Sequence, residues 1–503
     1  MSTYFLGIDN GGTMSKAVLF DRTGKEVGSA SEQMALITPQ PGFTERDMEA
    51  LWQMNMRVIN AAVSDADIDP KAIKGIACTG HGKGLYLWGK DGKPAYNGIV
   101  STDSRAWEYP QRWAEDGTAN KAFEMSCQSI LACQPVSLLN WFKDHKPEVL
   151  ENTKWIFAVK DYIRFRLTGE AFAEVTDYSG TNLMNLETKE FDPELLALFG
   201  LEGIADALPP VKGSTEPCGG ITAEVADATG LAEGTAVAGG MFDIDACAIA
   251  MDIVDDENIC VIAGTWSINQ YISRTPVLDR SIMMNSRYCL DEYYLIEECS
   301  PTSAGNLEWY VETFLAEEKK QAAEKGENIF KQCDERVAAM EPQDQDILFL
   351  PFLFGSNYNA RAKACFIGMG SHHGPVHALR AVYEGIVFCH LVHIGKLLQN
   401  REQTRAIRLG GGAAKSIVWA QMFADATGLP VETIETDELG TLGCAMAAAV
   451  AAGEFADVKE AANGMVKVKA RLEPDMARHE IYKGKFAAYR KAESAVSALW
   501  NNE

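Results

Sequence analysis

Two short stretches of this chain carry carboxylates where glycines bare the backbone. The first is GIDNGGTMSKAVLFD, residues 7–21, in which an apolar run delivers Asp9 and Gly11-Gly12-Thr13 follows at once. A hairpin accounts for it if the glycines supply positive φ in a tight turn. A phosphate cradle accounts for it as well: bared N–H groups and a hydroxyl meet phosphate oxygens, and the aspartate reaches them through a metal ion. The second stretch is TAVAGGMFDIDACAIAMD, residues 235–252, where Asp243 stands just before a run of small residues that suits a helix. Aspartate is a favoured N-cap. Yet Asp245 follows two residues later, and a cap needs only one acid. A carboxylate to spare at a glycine-lined turn suits a general base that takes the proton from an attacking hydroxyl.

Two further loops, ACTGHGKGLYLW (77–88) and IVSTDSRAWEY (99–109), offer His81, Lys83, Asp103 and Arg105 around glycines, a polar set suited to a polyol or sugar. In RLGGGAAKSIVWAQMFADATGLPV (408–431) a strand runs into Gly410-Gly411-Gly412, and a helix starts at about Ser416. Glycines ahead of a helix let a ligand approach the backbone, and the helix end favours anions. A plain β–α turn has the same look. His372 and His373 read as an exposed loop with no acid at ligand spacing. No GK[ST] occurs, which excludes the Walker-type P-loop, and no GxGxxG opens a first βαβ unit.

These residues must be held by an α/β scaffold, since strand-like runs alternate with helical ones. Residues 72–78 and 235–239 read as strands, 48–62 and 245–251 as helices. A chain of 503 residues is too long for one core and suggests two to four domains. The acidic segment MDIVDDEN, 251–258, is the candidate boundary. Just beyond it, VIAGTWSINQYIS (261–273) repeats the opening pattern, with Gly264-Thr265-Trp266-Ser267 matching Gly12-Thr13-Met14-Ser15. Self-similarity over half the chain suggests two related domains whose phosphate-binding hairpins face each other across a cleft.

Composition narrows the partners. With 46 basic against 70 acidic residues the net charge is −24, which repels nucleic acid and anionic lipid. An anionic ligand would therefore need backbone donors, a cation, or both. No uninterrupted run of about 18 apolar residues predicts a membrane span, and no basic region followed by an apolar core predicts a secretory signal. Twelve scattered cysteines, none as CxxC, read as buried thiols of a cytoplasmic protein.

In order and completeness these motifs resemble those of the FGGY carbohydrate kinases, nearly end to end. The resemblance rests on GIDNGGTMSKAVLFD, GGMFD, AGT, SAGNLEW, GGGAAKS, ELGTLGCAMAAAVAAG and FIGMGSHHGPVHALRAVYEG. It implies two ribonuclease H-like domains of the actin/hexokinase type with a cleft between them: 1–252 for sugar binding and catalysis, 253–503 for nucleotide. It implies ATP and Mg²⁺ as cofactors and a small sugar or polyol as substrate, in particular a ketopentose such as L-xylulose. Erythritol, glycerol, D-xylulose or ribulose would be alternative acceptors, and a non-catalytic actin-like binding protein an alternative role. Asp243 would be the catalytic base and Asp9 the metal ligand. Gly12, Thr13 and Lys16 would meet the phosphates, and Gly264 and Thr265 form the second phosphate loop. Gly305, Gly411, Gly412 and Ser416 would line the adenosine pocket, while His81, Gly82, Lys83 and Asp103 would lie at the sugar, with Lys83 and Asp103 acting as a donor–acceptor pair.

The pattern departs from the family in places. Leu138 stands where the first signature usually has lysine, and Gly82-Lys83 replaces the arginine–glutamate pair of glycerol kinases. Ser101 replaces their tryptophan, and Ser356-Asn357 replaces a commoner Glu-Arg. Glycerol is thereby disfavoured as substrate. Neither a membrane nor nucleic acid is expected as partner, and a homodimer is left open.

Overall fold

The computed structural model describes residues 3–356, 359, 361–401 and 403–500; Asn357, one of the departures above, lies outside them. The chain forms two compact units. The first comprises Met1–Val254, Ile272–Ile296 and Glu438–Val466; the second comprises Asp255–Tyr271, Glu297–Asp437 and Lys467–Glu503.

In the first unit, strands β1 (Tyr4–Asn10), β2 (Met14–Asp21), β3 (Glu26–Gln33), β4 (Ile73–Gly80), β5 (Pro217–Gly220) and β6 (Ala236–Ala238) form one sheet in the order β5-β6-β4-β1-β2-β3. β1 and β2 are an antiparallel hairpin closed by the pair Asn10↔Ser15. β4 runs parallel to β1, β6 parallel to β4, and β5 antiparallel to β6. Phe5, Leu6 and Ile8 are fully buried, as expected of a central strand covered on both faces. The helix Met48–Ala66 packs on β2 and β3. It is capped by Asp47, which accepts the Ala50 amide, and its buried residues Leu51, Met54, Val58, Ile59 and Ala62 recur at helical spacing. It runs one turn beyond the 48–62 expected, up to Asp67 in the left-handed conformation.

In the second unit, β7 (Asn258–Ala263), β8 (Ser267–Ser273), β9 (Ala406–Gly411), β10 (Val431–Ile434) and β11 (Val468–Leu472) lie in the order β8-β7-β9-β10-β11. The directions are antiparallel, parallel, parallel, antiparallel. That is the order and direction of β2-β1-β4-β6-β5. The repeat visible as a four-residue turn therefore extends to five strands.

The helix Leu439–Ala451, late in sequence, belongs to the first unit because glycines let backbones touch. A Cβ on Gly7 would lie 2.0 Å from Thr441 O, and one on Gly75 would lie 2.4 Å from Ala448 O. The small-residue run LGTLGCAMAAAVA thus lies directly against β1 and β4. Among the described residues one helix, Pro375–Gln399, is long and apolar enough to cross a membrane by length and composition. Of its apolar window 72% is buried within the protein, and it contains the Arg380–Glu384 ion pair.

Candidate active site

The first hairpin turn does not need its glycines for conformation. Gly11 and Gly12 are not among the positive-φ residues. A Cβ on Gly12 would meet nothing within 4 Å, and one on Gly11 only Met14 O at 3.5 Å. Open space and bared backbone are what these positions provide, which is what a phosphate requires. The turn is braced from behind. The buried Arg46 guanidinium donates to Gly11 O at 3.0 Å and to Gly12 O, while Asn10 and Asn55 exchange side-chain hydrogen bonds. Thr13 is exposed at the tip.

Asp9 is the penultimate residue of β1, and its buried Oδ1 has no hydrogen-bond partner. Burial pushes its carboxyl up to about 6, with Lys16 opposing and Glu438 adding to the rise. Lys16 Nζ lies 2.7 Å from Glu438 Oε2 and 2.9 Å from Oε1. The lysine expected at phosphates is thus ion-paired with an acid at the start of the Leu439–Ala451 helix.

Asp243 is the first residue of the helix Asp243–Ala250, and Phe242, not Asp243, occupies the N-cap. Its Oδ1 accepts the Ile244 amide at 2.8 Å. Burial holds its carboxyl well above the usual range; the Asp9 and Asp177 charges add to the rise and Lys83 opposes it. Two carboxylates, Asp9 and Asp243, therefore repel each other in a buried place. A divalent cation would relieve that repulsion and occupy the orphaned Asp9 oxygen, so the residues fit Mg²⁺. Asp245, the other acid of the stretch, is fully buried, and its charge adds to the rise that burial imposes on the Cys289 thiol.

The sugar-loop residues divide into two groups. Gly82 packs flat on Phe242, where a Cβ would lie 2.0 Å from the ring. Lys83 takes φ +61° and sets its Nζ 4.8 Å from the Phe242 ring centroid. These two stand beside Asp243. His81 is buried, with Nε2 3.0 Å from the Tyr86 hydroxyl and Nδ1 3.3 Å from Gly82 O. Burial and the Arg46 charge push its pKa down to about 3, so it is a neutral part of the scaffold. Asp103 is buried as well. It accepts the Thr44 amide at 2.7 Å and the Arg105 amide at 2.9 Å, and pairs with the Arg105 guanidinium at 2.8 Å. Arg105 also bridges to Glu45 and lies over the Phe43 ring. The Asp103 oxygens are engaged by the Arg105 guanidinium and by the Arg105 and Thr44 amides.

One group at this site went unnoticed in the sequence. Asp177 sits on the short helix Val175–Tyr178, which the Glu174 side chain caps. Thr176 Oγ1 accepts the Phe242 amide at 2.9 Å, so the residue before Asp177 is tied to the residue before Asp243. Beneath them Lys160 pairs with Asp161 at 3.0 Å, Glu174 at 3.2 Å and Asp177 at 3.8 Å, all buried. No spacing or glycine punctuation in AEVTDYSGTN marks these residues.

In the second unit the hairpin tip leaves Gly264 and Thr265 open, Thr265 being exposed. Gly264 O accepts the Ala304 amide at 2.8 Å, which brings Gly305 against Thr265. Gly411 has φ +78°, and a Cβ there would lie 2.7 Å from Ala263 O; Gly412 lies beside the same carbonyl. The five residues Gly264, Thr265, Gly305, Gly411 and Gly412 converge on one small-residue floor. Ser416 is buried as the N-cap of Ile417–Thr427, accepting the Trp419 amide and donating to Asp334. Its hydroxyl is thus already engaged. One sequence expectation is corrected nearby: His373 does have an acid at ligand spacing, Asp346, at 3.0 Å. The loop from 346 folds back over the histidine turn.

Two units built on one strand order, each opened by a glycine–threonine hairpin, with an orphaned aspartate and a helix-leading aspartate in the first, define a phosphotransferase of the actin/hexokinase type. The comparisons with known proteins agree. Residues 4–250 match the N-terminal domain of the FGGY family of carbohydrate kinases and residues 259–452 its C-terminal domain. A probable L-xylulose kinase of Pasteurella multocida (strain Pm70) is 37% identical over 500 residues, 99% of each chain. The L-xylulose/3-keto-L-gulonate kinase of Escherichia coli (strain K12) is 38% identical over 501 residues, 99% of this chain and 98% of its own. The crystal structure of a gluconate kinase from Lactobacillus acidophilus superposes with a TM-score of 0.89 at 25% identity, covering 100% of this chain and 99% of its own. The chain belongs to the FGGY family of carbohydrate kinases.

Proposed function

We propose that this carbohydrate kinase transfers the γ-phosphoryl group of ATP to a hydroxyl of a ketopentose such as L-xylulose, with Mg²⁺ as cofactor. The observation that carries the reading is the environment of Asp243. This carboxylate begins a helix, caps nothing across the turn, and faces Asp9 and Lys83. A buried carboxylate with a raised pKa is a stronger base than a solvated one, which suits the removal of a proton from an alcohol. The names of two full-length relatives point to L-xylulose.

In this mechanism Gly82 and Lys83 hold the ketose so that one hydroxyl meets Asp243, which takes its proton as the oxygen attacks. The Gly12 and Thr13 amides, the Thr13 hydroxyl and Lys16 bind phosphate oxygens. Asp9 would hold Mg²⁺, whose charge offsets that on the transferring phosphoryl group. Lys16 must exchange Glu438 for phosphate, or share itself between them. Gly264 and Thr265 form the second phosphate loop, and Gly305, Gly411, Gly412 and Ser416 give adenosine a floor without side chains. The sugar and its catalysis fall to residues 1–252, and the adenosine end of the nucleotide to 253–503. His81 and Asp103 act one step back, His81 by fixing the Gly82 loop and Asp103 by anchoring Arg105. Among the described residues the twelve cysteines form no disulfide, in keeping with a reducing compartment such as the cytoplasm.

The test is a panel of L-xylulose, D-xylulose, L-ribulose, 3-keto-L-gulonate, gluconate, glycerol and erythritol in a coupled ADP-release assay. The proposal expects L-xylulose or its acidic relative 3-keto-L-gulonate to give the highest kcat/KM. A clear preference for glycerol, erythritol or gluconate would overturn it.

A further inference from the structure

We infer that Asp177 is a substrate-binding residue of this kinase, a carboxylate that accepts a hydrogen bond from a hydroxyl of the sugar and so sets which sugars are used. The inference deepens the proposed function and rests on it only in requiring a polyhydroxylated acceptor beside Asp243.

Asp177 Oδ2 is buried without a hydrogen-bond partner, in a side chain only 3% exposed. Lys160, 3.8 Å away, is too far to hydrogen-bond it and is itself held closer by Asp161 and Glu174. A buried acceptor without a donor costs stability, and such atoms need an explanation. The local chain supplies one. Glu174 accepts the Thr176 and Asp177 amides and the Thr176 hydroxyl, which fixes the short helix. Thr176 Oγ1 in turn accepts the Phe242 amide. The segment carrying Asp177 is therefore locked to the segment carrying Asp243. Lys83, laid over the Phe242 ring, lowers the pKa of both aspartates, so the three charged groups surround one space. A sugar bound there presents hydroxyls to each. Asp243 has the reacting hydroxyl to serve, and Asp177 is free to accept from another. Its carboxyl, pushed up to about 7 by burial, would be kept ionised by that donated hydrogen bond.

A site that hydrogen-bonds a substrate hydroxyl with a buried charge rejects the analogue lacking it far more strongly than a site that merely excludes by shape. The experiment uses the full-length enzyme and the sugar it phosphorylates best. Monodeoxy analogues of that sugar, tested one at a time on the wild type, should include a non-reacting position whose loss lowers kcat/KM by about a hundredfold or more. Asp177→Asn should raise KM for the parent sugar at least tenfold, with kcat within a few-fold and KM for ATP unchanged. It should also shrink the penalty for that deoxy analogue to a few-fold. If no non-reacting hydroxyl matters by more than threefold, or Asp177→Asn leaves the sugar KM unchanged, the inference is overturned. An equal loss of affinity for sugar and ATP would also overturn it, by making Asp177 a member of the Lys160 framework alone. The proposed ketose specificity fails separately, through which sugar the wild type prefers.

Discussion

Lys16 Nζ and Glu438 Oε2 stand 2.7 Å apart, joining the first hairpin to the start of a helix 422 residues later in the chain. Both side chains are partly exposed, 31% and 23%, so the pair itself contributes little to stability. In the proposed mechanism its effect falls on the nucleotide, because phosphate would compete with Glu438 for the lysine. Lys16→Ala is expected to raise KM for ATP about tenfold, roughly 1.4 kcal/mol, with KM for the sugar unchanged. Glu438→Gln should move the ATP constant the opposite way or leave it unaltered. Steady-state kinetics varying each substrate in turn separate the two, and a parallel loss in both variants would show that Lys16 serves only the ion pair.

Asp9 is expected to stabilise function at the expense of the fold. Asp9→Asn should weaken use of Mg²⁺-ATP far more than sugar binding, and raising Mg²⁺ should restore part of the rate. Unchanged kinetics at limiting Mg²⁺ would reduce the hairpin to a structural turn. Stability should move the other way. Burial pushes the folded carboxyl up to about 6 against 3.8 in a free chain, so the cost of ionising Asp9 in the native state is absent below about pH 4, grows between 4 and 6, and is complete above 6. Asp9→Asn should therefore be more stable than the wild type at pH 8, by about 1–3 kcal/mol, and equal to it at pH 4. Thermal melts at the two pH values check this.

How much of this was legible in the residues alone differs from place to place. The two hairpins could be read because glycine and threonine fall at strand ends, with Asp9 beside them in the first, and the strand orders around β1 and β7 extend the repeat. The helix starting at Asp243 was visible through its glycines and small residues. The helix Leu439–Ala451 was visible as a motif, yet its packing onto β1 was not, since that depends on Gly7 and Gly75 meeting a carbonyl far along the chain. Asp103 and His81 read as sugar ligands because polar residues between glycines look alike whether they face a ligand or each other. Their burial and their contacts with Arg105 and Tyr86 are set by the fold and carried no signal in the sequence. Asp177 carried no signal, for its position comes from the Thr176–Phe242 hydrogen bond across 66 residues.

Lys83 should control both substrate affinity and the acid limb of the pH profile. Lys83→Ala is expected to raise KM for the ketose at least tenfold, roughly 1.4 kcal/mol, with KM for ATP unchanged. The Lys83 charge lowers the pKa of Asp243 while Asp9 and Asp177 raise it. Because the base must be ionised, kcat/KM rises with pH through that pKa. Removing the cation raises the pKa, so the limb of Lys83→Ala moves to higher pH. A limb that stays in place, or equal shifts in both KM values, would put Lys83 outside the site.

Whether Asp243 is the base is decided by kcat of Asp243→Asn beside Asp245→Asn, with sugar binding followed by calorimetry. The amide keeps the volume and one acceptor oxygen but cannot take a proton, and loss of a general base typically costs on the order of 10²–10⁴ in rate. Asp243→Asn is expected to show that fall with sugar affinity nearly intact. A wild-type kcat for Asp243→Asn, with turnover abolished in Asp245→Asn, would contradict it.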